Sequence, residues 1–461
     1  MEDRTKRKVG LVSLGCSKNL VDSEVMLGQL SLGGYEIIDG LADADVIVVN
    51  TCAFIGPAKE ESIETILDMV RFKAEGQCSS LIVTGCMAQR YSRELIEEIP
   101  EIDAVLGVNQ YPQIAGLLND LQGDTPQVRD IRRIPLPTDF SYPRIIKTPA
   151  HSVYLKIAEG CDRRCTFCII PAIRGKQASR TIDSLVNEAR GLVAQGALEL
   201  NLISQDTTWY GKDLETPASL PQLLRALNEV DGLRWIRPLY NHPVRFTDEI
   251  VEAIAELEHV CNYIDMPLQH ISDRMLKSMN RETTRKNIES LLAKARNTIP
   301  NLTFRTTFIV GFPGETDDDF EQLYDFVGES RFDRLGVFQY SPEEHTPAYR
   351  YGKPVPEELK QERHDRLMAL QRDISLSRNQ SIVGKVVDVL VDEAGNDGVP
   401  AIGRTEADAP EVDNEVLLYS DSVQQGQFIS VLISDALEYD LVGDVMPHQS
   451  HARKSIELSG A

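Results

Sequence analysis

Hydrophobic and polar positions along this chain alternate in a regular way. Four short apolar runs, Val9–Leu14, Val46–Val49, Leu81–Thr84 and Ala104–Leu106, are separated by amphipathic stretches at Glu24–Leu30, Ala58–Arg71 and Arg93–Ile99. Apolar runs of this length suit strands buried on both faces, and the 3.6-residue period between them suits helices. The alternation predicts an open parallel α/β domain over residues 1–133. Prolines 135, 137, 143 and 149 then mark a linker over 134–149.

From 150 to 376 the pattern resumes with six strand-like runs, Val153–Ala158, Leu198–Ile203, Trp235–Tyr240, Tyr263–Met266, Phe304–Val310 and Leu335–Phe338. Helical periods at Ile182–Ala194, Pro221–Val230, Asp248–Leu257, Arg285–Asn297 and Asp317–Val327 lie among them, and Glu357–Ser377 leads out. Six such units predict a partial (β/α)6 barrel, short of the eight of a closed one. Residues 377–445 change character again. Val386–Val391, Val416–Leu418, Phe428–Ile433 and Leu437–Val442 read as short strands broken by Gly, Asp and Asn, which predicts a small all-β barrel. Residues 446–461 read as an unstructured tail.

The chain has 461 residues and a formal net charge of −23. Such a field repels phosphates and draws basic partners. No run of eighteen apolar residues occurs, so no membrane helix is expected, and the charged start Met1–Lys8 lacks the apolar core of a signal peptide. A cytoplasmic protein is expected. Its eight cysteines then point to metal binding or catalysis more than to disulfides.

Three of these lie together in Gly160-Cys161-Asp162-Arg163-Arg164-Cys165-Thr166-Phe167-Cys168. This loop follows the first barrel strand, at the face where such barrels carry their chemistry. A [4Fe–4S] cluster usually takes four cysteines, so three leave one iron open to a ligand. Zinc would want a fourth Cys or His close by, and none follows. Two other strand ends carry candidate ligand contacts. Ser204-Gln205-Asp206-Thr207-Thr208 is polar, and Gly311-Phe312-Pro313-Gly314-Glu315 would let backbone approach a bound molecule. Their plainer readings are a capped helix start and a turn.

Cys16, Cys52 and Cys86 are far apart in sequence, yet each falls just past the end of a predicted parallel strand. In an open α/β sheet those ends share one edge. Convergence there would build a second three-cysteine site. Cys78 and Cys261 lack this placement and read as structural. His242 and His270 follow barrel strands and could line a pocket, with local hydrogen bonding as the alternative.

The spacing CxxxCxxC with Phe167 before its last cysteine closely resembles the radical-SAM superfamily. With both triplets in view, the whole chain resembles the methylthiotransferase family: a cluster domain, a radical-SAM barrel and a TRAM-like β-barrel. The resemblance implies two [4Fe–4S] clusters, on Cys16, Cys52 and Cys86 and on Cys161, Cys165 and Cys168. It implies S-adenosylmethionine as methyl donor and radical source, with Phe167, Gln205, Asp206, Thr207, Gly311, Gly314 and Glu315 as its contacts. It further implies exogenous sulfur, an electron donor of unknown identity, and no catalytic side chain beyond the cluster ligands.

The family divides between enzymes acting on tRNA adenosine and a branch acting on an aspartate of a small-subunit ribosomal protein. Residues 377–444 hold three basic residues, Arg378, Lys385 and Arg404, against fourteen acidic ones, a net of −11. An RNA-binding barrel needs a basic groove. The acidic balance, with the run Gly403–Asp413, favours the ribosomal-protein branch, a basic protein partner and no direct nucleic-acid contact. The same chemistry on tRNA, and a non-catalytic iron–sulfur carrier or binding module, stay open as alternatives. A carrier should ligate its clusters fully, which neither triplet does.

Overall fold

The structure is a computed structural model that describes residues 6–121, 128–132, 134–396, 398–420 and 423–446. The expected tail from 447, and Asp397 and Asp421 among the fourteen acids, lie outside the described residues. The chain divides into two units, 1–371 and 372–461.

The first part of unit one is a six-stranded sheet, built from β1 (Lys8–Ser13), β2 (Glu36–Ile37), β3 (Val46–Thr51), β4 (Ser80–Gly85), β5 (Ala104–Leu106) and β6 (Val128–Asp130). Its order is β2-β1-β3-β4-β5-β6, and every pairing is parallel. The central strands β3 and β4 are buried throughout, as uninterrupted apolar runs covered by helices on both faces should be. Helices α1 (Ser17–Leu32), α2 (Gly56–Glu75), α3 (Cys86–Glu98) and α4 (Ile114–Asp120) cover it. Helix α1 begins seven residues before its apolar period does. Its first turn, Ser17-Lys18-Asn19, is polar because it packs on the site and not on the core. Strands β2 and β6 and helix α4 are too short to leave a period.

Residues 134–149 form no regular element, but they are not a loose tether. Leu136 and Phe140 are buried. Ile145 donates its N–H to the Glu24 carbonyl at 3.0 Å, and Thr181 donates to the Thr138 carbonyl at 2.9 Å. The strap therefore ties the N-terminal sheet to the barrel half of the same unit.

The barrel strands are β7 (Ser152–Lys156), the short β8 (Ala158–Glu159) and β9 (Ala178–Ser179), then β10 (Glu199–Ile203), β11 (Trp235–Pro238), β12 (Tyr263–Asp265), β13 (Thr303–Val310) and β14 (Arg334–Gln339). Two parallel three-stranded sheets, β11-β10-β7 and β12-β13-β14, meet where Ile236 bridges Val260. The six long strands thus follow one another around an open arc. The single run expected over Val153–Ala158 breaks at Ile157, and β8 leaves to pair antiparallel with β9. Helices α5 (Ile170–Arg174), α6 (Ile182–Ala194), α7 (Leu220–Asn228), α8 (Asp248–Glu256), α9 (Asp273–Ser278), α10 (Arg285–Thr298) and α11 (Asp317–Ser330) lie between strands, and α12 (Glu357–Gln380) follows. The one-turn helices α5 and α9 escape the periodicity for want of length.

The second unit closes a five-stranded barrel, β15 (Val386–Glu393), β16 (Ala401–Arg404), β17 (Val416–Leu418), β18 (Phe428–Ala436) and β19 (Leu441–Val445), in the order β15-β16-β17-β19-β18. Val389, Val391, Val416, Leu418, Val431 and Ile433 fill it. Two sequence readings need correction. Strand β16 carries no clear signal because Gly403 interrupts its apolar alternation. The strand expected over Leu437–Val442 starts at Leu441, since Leu437 is spent in a tight turn that donates to the Asp440 carbonyl at 2.8 Å.

Candidate active site

The parallel sheet delivers Cys16, Cys52 and Cys86 to one edge. Cys16 caps α1, Cys52 directly follows β3, and Cys86 opens α3 directly after β4. Gly85 makes that last turn at φ +92°, where a Cβ would lie 2.3 Å from Asn50 Oδ1, so only glycine fits. Asn19 stitches the three loops together. Its Nδ2 donates to the carbonyls of Leu14 and Thr51 at 3.0 and 2.9 Å, and its Oδ1 lies 3.8 Å from Cys86 Sγ. Burial raises the Cys52 and Cys86 thiols, and the neighbouring thiols add to it: Cys16 acts on Cys52, and Cys16 and Cys52 act on Cys86.

The second triplet sits on one loop, and that loop is held at several points. Thr166 donates its N–H to the Met279 carbonyl at 3.1 Å and its hydroxyl to Ser278 at 2.9 Å. Asn280 donates to the Arg164 carbonyl, and Cys161 donates its N–H to Gly175. Arg281 Nη1 and the Arg163 N–H point at Cys165 Sγ and Cys161 Sγ, each at 3.4 Å. Burial pushes the thiols of Cys86, Cys161 and Cys168 up to about 12. Thiols so placed are poor nucleophiles as they stand, and a bound metal would displace their protons.

Arg174 lies six residues beyond Cys168 and reaches the N-terminal triplet. Its guanidinium bonds Asn19 Oδ1 and faces Cys86 and Cys16, although it belongs to the barrel loop. It is held from behind by a buried trio. Arg174 Nη1 lies 2.8 Å from Glu159 and 3.3 Å from Asp22, Lys156 lies 3.0 Å from Glu159, and Lys156 also pairs with Asp22. Burial alone would neutralise these groups. The Asp22 and Glu159 carboxylates nevertheless hold the Lys156 ammonium protonated, and the two cations hold Glu159 well below the usual carboxylate range.

The other residues singled out from the sequence divide. Gln205 donates to Glu159 at 2.7 Å, while its Oε1 has no hydrogen-bond partner among the described residues. Asp206 accepts from Arg163 at 2.7 Å and caps Thr208. Thr207 donates to Asn241 at 3.0 Å. Asp206 and Arg163, with Asp162, Arg164, Trp209, Arg245 and Glu282, line a cavity of about 230 Å³ beside the cysteine loop. Phe167 packs on Met275, Met279, Phe312 and Tyr340. Gly311 and Gly314 both turn at positive φ. Glu315 points inward, accepting from the Gly311 N–H at 3.0 Å and from Arg363 at 2.6 Å, so it shapes this loop from beneath.

His270 Nδ1 accepts from the N–H groups of Ile271 and Ser272, which puts its proton on Nε2, 3.5 Å from Glu315. Burial, with Arg281, Arg163 and Arg245 nearby, holds His242 neutral. Cys78 lies in the sheet core and Cys261 is buried behind β11. Asn19, Asp22, Lys156 and Arg174 do not stand out in the sequence. A hint lies in the polar first turn after Cys16 and in the Arg174-Gly175 pair soon after Cys168.

The residues fit an iron–sulfur group on two counts. Each triplet offers three thiols, the ligand type such clusters take. Buried polar atoms without hydrogen-bond partners among the described residues, Ser204 Oγ, Gln205 Oε1, His242 Nε2 and Gln269 Oε1, also gather at the ends of β10, β11 and β12. Buried polar atoms seldom go unpaired without a ligand or water to meet them.

Comparison with known proteins agrees with this arrangement. Residues 155–327 match the Radical SAM superfamily, residues 383–446 the TRAM domain, and residues 8–107 the Uncharacterized protein family UPF0004. Among solved structures, the radical S-adenosylmethionine methyltransferase TsrM from Kitasatospora setae is similar with a TM-score of 0.54 at 16% identity, covering 75% of this chain and 77% of its own. The cobalamin-dependent S-adenosylmethionine radical enzyme OxsB is similar with a TM-score of 0.52 at 14% identity, covering 78% and 56%. At such identity they share the fold alone. This is a radical SAM enzyme, of a superfamily that uses S-adenosylmethionine and a [4Fe–4S] cluster. Two curated relatives bear the name ribosomal protein uS12 methylthiotransferase RimO. The Clostridioides difficile protein is 48% identical over 440 residues, 95% of this chain and 99% of that one. The Geotalea uraniireducens protein is 46% identical over 448 residues, 97% and 100%. The chain belongs to the RimO family of methylthiotransferases.

Proposed function

We propose that this protein attaches a methylthio group to the β-carbon of an aspartate in ribosomal protein uS12. The observation that carries the reading is Arg174, which follows the barrel cysteine loop in the chain and faces the thiols of the N-terminal triplet, in a family of methylthiotransferases. Cys161, Cys165 and Cys168 would hold one [4Fe–4S] cluster, and Cys16, Cys52 and Cys86 a second. With both clusters and S-adenosylmethionine bound, the site would supply a carbon-centred radical able to open a C–H bond and a sulfur to fill it.

The chain's own residues bind, orient and seclude. Gln205, Asp206 and Thr207 at the end of β10, and the turn from Gly311 to Gly314 beside Phe167, would bind S-adenosylmethionine. Glu315 and Arg363 hold that turn in shape. Arg174 would place positive charge against the N-terminal thiolates without offering a proton. No side chain is asked to act as a general base, consistent with the neutral, buried His242. Sulfur and electrons must come from outside the chain.

The second unit supports a protein substrate over RNA. Of its few cations, Arg404 is buried in a two-point pair with Asp392 at 2.7 and 3.0 Å, so its charge is spent inside. What remains outside is strongly acidic and suits a basic partner. No helix of the described residues is long and apolar enough to cross a membrane, and action in the cytoplasm is part of the proposal.

The test is anaerobic reconstitution with iron and sulfide, followed by S-adenosylmethionine and a reductant. Release of 5′-deoxyadenosine and a methylthio mass gain on uS12 are expected. A gain on tRNA with none on uS12 would overturn the substrate, and no 5′-deoxyadenosine would overturn the chemistry.

A further inference from the structure

Lys18 lies two residues after Cys16 in the first turn of α1, and it is 5% exposed. A buried ammonium is costly unless a carboxylate or comparable partner meets it. Other buried cations here have acceptors in place: Lys156 has Asp22 and Glu159, Arg144 has Glu24 and Glu188, and Arg281 donates to the Pro267 carbonyl and Cys165 Sγ. Lys18 has no carboxylate partner among the described residues. Its Nζ rests on the ring of Tyr240, 2.9 Å from the centroid.

Tyr240 is itself unusual. It stands just past the end of β11, at the barrel mouth, with φ +60°. A bulky residue enters this left-handed region only when its surroundings force it to. Two neighbours do so. Its N–H donates to Asp265 Oδ2 at 2.8 Å, and its carbonyl accepts from the Thr207 N–H at 3.2 Å and hydroxyl at 3.3 Å. The chain thus accepts backbone strain at the mouth to seat one ring beneath one ammonium. The ring steadies the cation but cannot neutralise it, so the charge stays available. Next to it in the chain, Ser17 Oγ is buried with no hydrogen-bond partner among the described residues, as are Ser204 Oγ and Gln269 Oε1 past the ends of β10 and β12.

We infer that Lys18, seated on Tyr240, is the receptor for the carboxylate of the target aspartate and so sets the enzyme's preference for a protein side chain. The inference rests on the function proposed above and adds to it the group that reads the substrate. A carboxylate arriving at the mouth meets a desolvated, preplaced cation. Held there, it would orient the adjoining β-carbon between the two thiol sites. A neutral amide in its place would leave the ammonium without its partner.

The test is a cycle between enzyme and substrate. Reconstituted full-length enzyme, as parent, Lys18→Met and Lys18→Arg, is given uS12 carrying its natural aspartate or asparagine at that position. The parent should bind the asparagine form roughly tenfold or more weakly, the usual scale of a charge-assisted hydrogen bond. Lys18→Met should bind the aspartate form as weakly as the parent binds the asparagine form, and should no longer tell them apart. Lys18→Arg should recover part of the discrimination. Iron content, thermal stability and the KM for S-adenosylmethionine should not move.

Full discrimination retained by Lys18→Met would overturn the assignment. So would a raised KM for S-adenosylmethionine with either substrate, which would give the ammonium to the cofactor, or a loss of stability with selectivity intact. Affinity is read without turnover. A parent that binds but never modifies uS12 therefore sinks the proposed reaction, while the binding cycle still decides the role of Lys18.

Discussion

The two cysteine triplets do the same job by different means. The barrel triplet is a local object: three thiols on one loop, held by hydrogen bonds to Ser278, Met279 and Asn280. The N-terminal triplet is a product of topology. Its thiols come from three loops that meet only because β1, β3 and β4 run parallel and end at one edge, with Asn19 binding the loops together. Their electrostatics differ as well. The barrel triplet has Arg281, which donates to Cys165 and to the Pro267 carbonyl. The N-terminal triplet borrows Arg174 from the barrel, braced by buried carboxylates. One site takes its three thiols from a single loop, whereas the other takes them from three loops and its arginine from the other part of the unit.

The largest effect expected from this contrast is a functional split. Cys165→Ala should abolish 5′-deoxyadenosine release. Cys52→Ala should keep that release and lose methylthio transfer to uS12. Each variant should retain about half the parent's iron after reconstitution if each triplet holds its own cluster. Equal loss of 5′-deoxyadenosine in both would merge the two sites into one.

Next comes the borrowed arginine. Arg174→Met leaves Asp22 and Glu159 to share Lys156, one buried negative charge uncompensated, and breaking a buried pair costs ~3–5 kcal/mol. Arg281→Met leaves no carboxylate behind and should cost about 1 kcal/mol, the scale of a hydrogen bond. Urea unfolding of both proteins under the same conditions checks the difference. Similar losses would mean that Arg174 is no more structural than Arg281.

A smaller effect is expected at Gly15, between β1 and Cys16. It turns at φ +86°, and a Cβ there would lie 2.8 Å from the Cβ of Cys52. Gly15→Ala adds left-handed strain of about 1–2 kcal/mol and a clash confined to the N-terminal triplet. Methylthio transfer should fall with 5′-deoxyadenosine release preserved, as measured on the same reaction mixture.

The smallest effect concerns the strap that keeps the parts docked. Burial pushes the Glu188 carboxyl up, but Arg180 and Arg144, each at 2.5 Å, outweigh it and hold it below its ordinary value. A carboxyl depressed in the folded state stabilises the protein above its unfolded pKa of about 4.3, and that stability is lost as pH falls toward the folded value. Stability against pH for Glu188→Gln should therefore show a shallower acid limb than the parent. An unchanged limb would assign acid sensitivity to other carboxylates.

The parts that could be read in the sequence are those whose signal is local or periodic. Helix Ile182–Ala194 and strands Ala104–Leu106 and Val416–Leu418 have the bounds their apolar runs suggest. Elements of one turn or two residues, such as α5 and β2, leave no period. The broken strand at Ile157 and the late start of β19 depend on hydrogen bonds to partners elsewhere in the chain. Glu315 sits in a run whose glycines mark it as a candidate site lining, yet its side chain turns inward to Arg363, a pairing across 48 residues that no local pattern announces.

By itself, the sequence determined the chemistry on offer: six placed thiols, parallel strand ends to carry three of them, and an acidic final barrel. Spacing and period encode these because they act over a few residues along the chain. Only the tertiary structure decided that Arg174 reaches across to the other triplet, that Asp22, Lys156 and Glu159 brace it, and that Lys18 rests on Tyr240 at the mouth. Buried charges take their meaning from which partners share their low-dielectric surroundings, and folding alone brings those partners together.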